Sequence, residues 1–223
     1  MPTAEPTSGD TRQRLLLAAL RLYAKNGLYA VSLRSINTAA GSKNSAAMHY
    51  HFNNKLGVVQ ALVEMIAHQL QSTAANIHRR SGTAGSLREA FGNTLRPLSM
   101  LPAQHRWGVD ALRFMSMVMG STDPDISAVI NPVYQPFWER VDRDLAVHLP
   151  DLPEDVRRLR LMFMSVNVFH GIAEVASLAH TPLGDMSHFD NASLLEHLVD
   201  YLIGGLKAPH HLALKPTGGR TYE

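Results

Sequence analysis

Residues 32–55 read Ser-Leu-Arg-Ser-Ile-Asn-Thr-Ala-Ala-Gly-Ser-Lys-Asn-Ser-Ala-Ala-Met-His-Tyr-His-Phe-Asn-Asn-Lys, and this stretch decides the fold. Ser32 is placed to cap a short helix whose Leu33, Ile36 and Ala40 recur at i, i+3 and i+7, and Gly41 ends it. After Ser42 and Lys43, Asn44 is placed to cap a third short segment running from Ser45 to Tyr50. Upstream, Asp10 and Gln13 have the spacing of a capping box, and Leu15, Ala18, Ala19, Leu22 and Tyr23 form one apolar face before Asn26-Gly27 stops the run. A packing helix followed by two short helices joined at a glycine turn is the pattern of a helix-turn-helix.

Charge separates this segment from the rest of the chain. The net charge of the 223 residues is only +2, yet residues 11–63 hold seven Lys and Arg and no acid, whereas residues 64–205 carry a net −5. An acid-free basic segment is the electrostatic footprint expected of a polyanion-binding surface, and the acidic remainder would be repelled by the same polyanion. The bland alternative is a solvated bundle with basic faces, and the complete absence of acids argues against it.

The third segment suits base reading. Ala46 and Ala47 are small enough to let backbone approach a groove, while Asn44, Ser45, His49 and Tyr50 offer hydrogen-bonding groups to phosphates and base edges. Lys55 opens a long helix, where a cation and free backbone N–H groups together would hold a phosphate.

The run Leu15 to Ala19, Leu22-Tyr23, Gly27, Ser32 to Ile36, Ala40-Gly41 and above all Tyr50-His51-Phe52 followed by Lys55 resembles the DNA-binding domain of the TetR family of bacterial transcriptional regulators. The resemblance covers roughly residues 11–60. It implies an all-α homodimer: an N-terminal three-helix domain with a helix-turn-helix, and a C-terminal helical ligand-binding and dimerisation domain. It further implies that Arg34, Lys43, Asn44, Ser45, Ala46, His49, Tyr50 and His51 face DNA, with Lys55 on a phosphate. Two departures stand out: Asn37 occupies a position where the family usually has Ala, and the turn Gly41-Ser42-Lys43 is one residue longer than the commonest version.

The expected layout is a flexible arm at residues 1–10, a DNA-binding domain at 11–55, a ligand-binding and dimerisation domain at 56–207 and a flexible tail at 208–223. From Lys55 a helical pattern continues to about Arg80, with further candidates at 86–100, 104–119, 125–148, 154–179 and 192–206. Breaks are expected at Ser81 to Ser86, Pro97, Pro102, Ser121 to Pro124, Pro150 to Pro153 and Thr181 to Ser187. The candidate 154–179 turns apolar on most sides, with Leu161, Met162, Phe163, Met164 and Val166 in close succession, and 194–206 repeats Leu194, Leu195, Leu198, Val199 and Leu202. Either the core covers these helices or a second subunit does.

A ligand pocket is expected from Trp107, Arg113, Phe114 and Met117, from Phe137 and Trp138, and from Phe163, Asn167, His170 and Glu174. Met and aromatic side chains at helical spacing also serve as plain core; as pocket lining they suit a mainly hydrophobic effector oriented by Arg113, Asn167, His170 or Glu174.

Catalysis finds no motif. With no cysteine there is no thiolate nucleophile or disulfide framework, and none of HExxH, GxSxG or GxxxxGK[ST] occurs. Of the 12 histidines, His49 and His51 point apart on a helix, and His210-His211 has no carboxylate close by in sequence. No metal or cofactor is expected. No apolar run reaches the about 18–20 residues of a membrane span, so the expectation is a cytoplasmic repressor released from its operator by a small molecule. The competing expectation is a constitutive DNA-binding dimer that senses nothing.

Overall fold

The computed structural model describes residues 8–44, 46–81, 85–173 and 180–209, and among these every regular element is a helix. The first three lie close in sequence: α1 (Ser8–Asn26), α2 (Leu33–Ala39) and α3 (Ala47–Phe52). Six more follow: α4 (Lys55–Ser81), α5 (Leu87–Gln104), α6 (Gly108–Met119), α7 (Pro124–His148), α8 (Glu154–Ala173) and α9 (Asn191–Lys207). The expected arm up to residue 7 and the tail from 210 lie outside the described residues, as do Ser45, residues 82–84 and residues 174–179, with Glu174 among them.

Local chemistry sets most of the ends. The N–H of Gly27, at φ 84°, donates to the Tyr23 carbonyl at 2.9 Å and closes α1. Ser32 and Ser35 form a reciprocal capping box at the start of α2. Asp123 caps α7 with Pro124 following, where the missing N–H costs no helical bond. α1 begins at Ser8 rather than at a cap on Asp10, so Asp10 lies in the first turn and complements the helix dipole instead. Pro97 and Pro102, expected to break the chain, lie inside α5. Burial of Leu95, Pro97, Leu98 and Leu101 holds that last stretch helical despite the lost bonds.

α6 is the central strut: it packs on α8, α1, α5 and α7, while α4 packs on α5 and α7. α1 therefore reaches past its own two short partners into the larger part of the molecule, with the Tyr23 ring stacked on Phe114 of α6 at 6.1 Å. The buried apolar residues of both parts form one continuous cluster. Gly108 opens α6 because a Cβ there would collide with the Leu101 carbonyl of α5. At the far end, Arg157 of α8 donates to the buried Asp142 of α7 through Nε at 2.6 Å, and Arg158 adds a contact at 3.2 Å. Burial alone would raise the Asp142 carboxyl, but these two guanidinium groups outweigh it and hold the group below the usual carboxylate range. No described helix is long and apolar enough to cross a membrane.

Candidate nucleic-acid interface

The turn between α2 and α3 is braced by a residue whose role the sequence left unexplained. Asn37 is only 8% exposed; its side-chain amide donates to the Asn44 carbonyl at 2.8 Å, and its backbone carbonyl accepts from Ser42 at 3.1 Å. Gly41 supplies the left-handed φ of 65° that the longer turn needs. An alanine at 37 would have no side-chain group to donate to the Asn44 carbonyl, so this bond across the turn would be lost. A polar side chain on the buried side of α2, beside Ile36, was the signal.

Asn44, expected as the cap, stands two positions before it. Its side chain accepts from the Ala46 N–H at 2.9 Å, and α3 starts at Ala47, with Ala46 in the cap position and no side-chain cap bond of its own. α3 thus runs to Phe52 rather than stopping at Tyr50. Its inner side is Ala47, Met48 and Phe52, all buried; Ala46, His49 and Tyr50 face solvent, and His51 is half-buried. Tyr50 is 81% exposed, packed edge-on against the His51 ring at 4.9 Å. His49 Nδ1 lies 2.8 Å from the Asn53 carbonyl. A carbonyl only accepts, so Nδ1 carries a hydrogen in this contact, and in the tautomer that holds this hydrogen alone Nε2 is an acceptor. Asn53 itself takes a left-handed φ of 64° to turn the chain into α4.

Arg34, Lys43 and Asn44 are exposed around this helix, and Ser45 lies outside the described residues. Lys55, the first residue of α4, directs its ammonium to the Tyr29 carbonyl at 3.4 Å and over the Tyr29 ring at 5.9 Å. Tyr29 escaped the sequence reading. Its hydroxyl donates to Asp123 at 2.8 Å, tying the loop before α2 to the cap of α7. That bond, with the Asp125 N–H, holds the Asp123 carboxyl below its ordinary value. Only a long-range contact defines this residue, and no local pattern announces one.

The expected effector residues are spread over three settings rather than gathered around one space. Phe114 is fully buried, and the hydroxyl of its stacking partner Tyr23 has no hydrogen-bond partner among the described residues and has its pKa pushed up to about 12 by burial. Arg113 and Met117 are half-buried on α6, and Phe137 and Trp138 meet edge-on at 5.1 Å on α7. Trp107 stacks on His105 at 4.5 Å and walls an open cleft of about 570 Å³ beside α1 and α4. Phe163, Asn167 and His170 are exposed on α8, where Asn167 donates back to the Phe163 carbonyl at 2.8 Å and His170 meets Ser116 at 3.1 Å. Asn167 and His170, expected to lean inward, thus face outward in the single chain, because the apolar positions that α8 buries are Leu161, Met164, Val168 and Phe169. Among the described residues no group of three or more His, Asp or Glu is placed to hold a metal ion.

Residues 93–205 match a family model described as the tetracyclin repressor-like C-terminal domain. No curated protein matches the chain in sequence. Solved structures similar in fold include the fatty acid degradation regulator FadR from Bacillus halodurans, 15% identical, covering 93% of this chain and 100% of its own, with a TM-score of 0.63. NalD, the secondary repressor of the MexAB-OprM multidrug efflux pump in Pseudomonas aeruginosa, is 21% identical over 89% of this chain and 97% of its own, with a TM-score of 0.59. A TetR family transcription regulator from Marinobacter aquaeolei is 19% identical over 86% and 94%, also at 0.59.

Proposed function

We propose, from the premise that the chain belongs to the TetR family of transcriptional regulators, that it is a sequence-specific, homodimeric DNA-binding repressor released from its operator by a mainly hydrophobic small molecule. The observation that carries this reading is the outer face of α3: His49 and Tyr50 exposed over a buried Ala47, Met48 and Phe52, in a segment with seven cations and no acid. Such a helix is anchored on one side and free to enter a major groove on the other. His49 and Tyr50 would meet base edges; Arg34, Lys43 and Lys55 would meet phosphates, fixing register without reading sequence. In this reading residues 11–55 bind DNA, residues 56–207 bind the effector and the second subunit, and the protein catalyses nothing and works in the cytoplasm beside the chromosome.

Dimerisation is supported by α8. Leu159, Met162, Phe163 and Val166 are large, apolar and exposed at i, i+3, i+4 and i+7, a stripe that a second copy would cover. A twofold pair also sets two copies of α3 side by side for the two half-sites of a palindrome. A repressor role agrees with the repressor named among the structures of similar fold. Release follows if the effector binds one spacing of the two heads better than the other, since a ligand moves an equilibrium only by its differential affinity.

Selection of bound sequences from random double-stranded DNA, at a fixed salt concentration, tests the reading. The expected outcome is an enriched palindrome with half-sites about 34–36 Å apart or slightly more. Weak, salt-sensitive binding with no enriched sequence would overturn it. An operator bound equally with and without every compound screened would replace the effector-released repressor by a constitutive DNA-binding dimer.

A further inference from the structure

Where α1, α4 and the turn between α5 and α6 meet, the surface opens into a cleft of about 570 Å³, within the about 300–1,000 Å³ range of small-molecule sites. Arg12 of α1 stands on one side, Glu64, Met65 and His68 of α4 on another, and His105 and Trp107 on the third. The third wall is held by local contacts. The His105 N–H donates to the Leu101 carbonyl at 3.0 Å, its carbonyl accepts from Gly108 at 2.9 Å, and its ring is stacked on Trp107. Its Nε2 is buried behind this wall, without a hydrogen-bond partner among the described residues.

The two opposite charges of the cleft, Arg12 and Glu64, are not paired with each other. Arg12 has no ion pair among the described residues. Glu64 accepts from Gln60 at 2.9 Å and is not within ion-pair distance of Arg12. The Arg12 guanidinium instead lies 5.2 Å from the centroid of the Phe52 ring, at the end of α3. One cation thus borders the cleft on one side and touches the end of the helix proposed to read bases on the other.

We infer that this cleft binds a planar aromatic acid, its ring against Trp107 and Met65 and its carboxylate on Arg12, and that occupancy draws Arg12 away from Phe52. A carboxylate offers Arg12 a charge-assisted, bidentate partner that the Phe52 ring cannot match. Losing the cation over Phe52 loosens the end of α3, so acid and operator oppose each other, and by linkage they do so reciprocally. This inference rests on the reading of the chain as an effector-responsive DNA-binding regulator, and it adds to the region 56–207 a contact from Arg12 of α1, placing the effector where α1, α4 and the turn between α5 and α6 meet.

The test uses 2-naphthoate as probe and uncharged 2-naphthamide as control, followed through the two tryptophan indole N–H signals of the ¹⁵N-labelled full chain. Trp107→Phe assigns its signal by its disappearance, and Trp138 serves as the internal reference. The expected result is a saturable shift of the Trp107 signal by naphthoate, with Kd tighter than about 1 mM, and one weakened about tenfold or more in Arg12→Gln but kept in Arg12→Lys. Saturating naphthoate should lower affinity for the selected operator in the native chain and not in Arg12→Gln. No shift overturns the site; an equal shift in Arg12→Gln, or with naphthamide, overturns the acid; a shift without a change in operator affinity overturns the coupling. If the shift appears but no operator is ever enriched, the cleft stands and the regulator reading falls; an operator with no shift gives the converse.

Discussion

Two helices of this molecule turn a face to solvent that the chain does not cover, and they differ in everything but that. The outer side of α3 carries Tyr50, 81% exposed, with His49 beside it, in a segment without acids. The outer side of α8 carries Phe163, 54% exposed, with Met162, Val166 and Leu159 along the same stripe. Polar and cationic groups remain hydrated in the free chain and gain from phosphate contact, whereas the α8 stripe keeps apolar surface in water at about 25 cal/mol per Å² until something buries it. The first surface is stable alone and suits a polyanion; the second leaves apolar surface uncovered in the single chain and suits another apolar surface, which the proposed dimer would supply from a second copy. In the proposed function one helix reads and the other assembles, and the reading is useful only if assembly sets the spacing.

The largest effect is therefore expected from α8. Phe163→Asp places a carboxylate in the proposed seam, where burial would leave it unpaired. The side chain is exposed in the single chain, so the thermal midpoint of the separated subunit should change little. Sedimentation equilibrium should show monomer, and operator affinity should fall by about 100-fold or more as the two half-sites lose their linkage. A Phe163→Asp chain that stays dimeric would move the interface elsewhere and break the contrast between the two faces.

Next comes the joint that aims α3. A Cβ on Gly57 would fall on the Phe52 carbonyl, and backbone at that site cannot swing aside as a side chain would. Gly57→Ala should cost about 2–3 kcal/mol, lowering Tm by about 4–10 °C, and should weaken operator binding more than nonspecific binding. Calorimetry with both DNA titrations checks it; an unchanged Tm would show that the α3–α4 joint yields without cost.

How much of this was legible in the residues follows from where each signal is written. Caps and stops are local chemistry, so Ser32, Gly27 and the Asp123-Pro124 pair announced their ends. The helix-turn-helix was readable because three short periodic runs and an acid-free charge pattern agree. Pro97 and Pro102 misled because a local penalty was outweighed by burial of their neighbours, which is a tertiary fact. The effector residues were the least legible. Periodicity identifies an apolar side chain such as Phe114 or Phe163, but only packing decides that the first is fully buried on Tyr23 and the second exposed on α8. Tyr29 and Arg12 were invisible for the same reason, since their partners Asp123 and Phe52 lie 94 and 40 positions away.

Smaller effects sharpen the division of labour within the DNA-facing surface. His49→Ala should leave affinity for nonspecific DNA unchanged and relax preference at one base pair by about tenfold, as an acceptor of one base edge should. Repeating the sequence selection with His49→Ala checks this; an identical enriched site would remove His49 from base contact and leave Tyr50 as the exposed side chain to vary next.

Lys55→Ala is expected to have the smallest effect and the most informative form. In the free protein the Lys55 ammonium rests on the Tyr29 carbonyl and ring, both neutral partners that a phosphate would displace. Because the group is already positioned at the start of α4, moving it to DNA needs little reorganisation, and the gain on binding is mostly counterion release. Its removal should therefore weaken all sequences alike, by a few-fold at moderate salt, and reduce the slope of log affinity against log salt by about 0.9. The operator-to-nonspecific ratio should stay constant. If the slope is unchanged, Lys55 keeps to Tyr29 in the complex, and its role is to brace the loop that Tyr29 ties to Asp123 rather than to hold DNA.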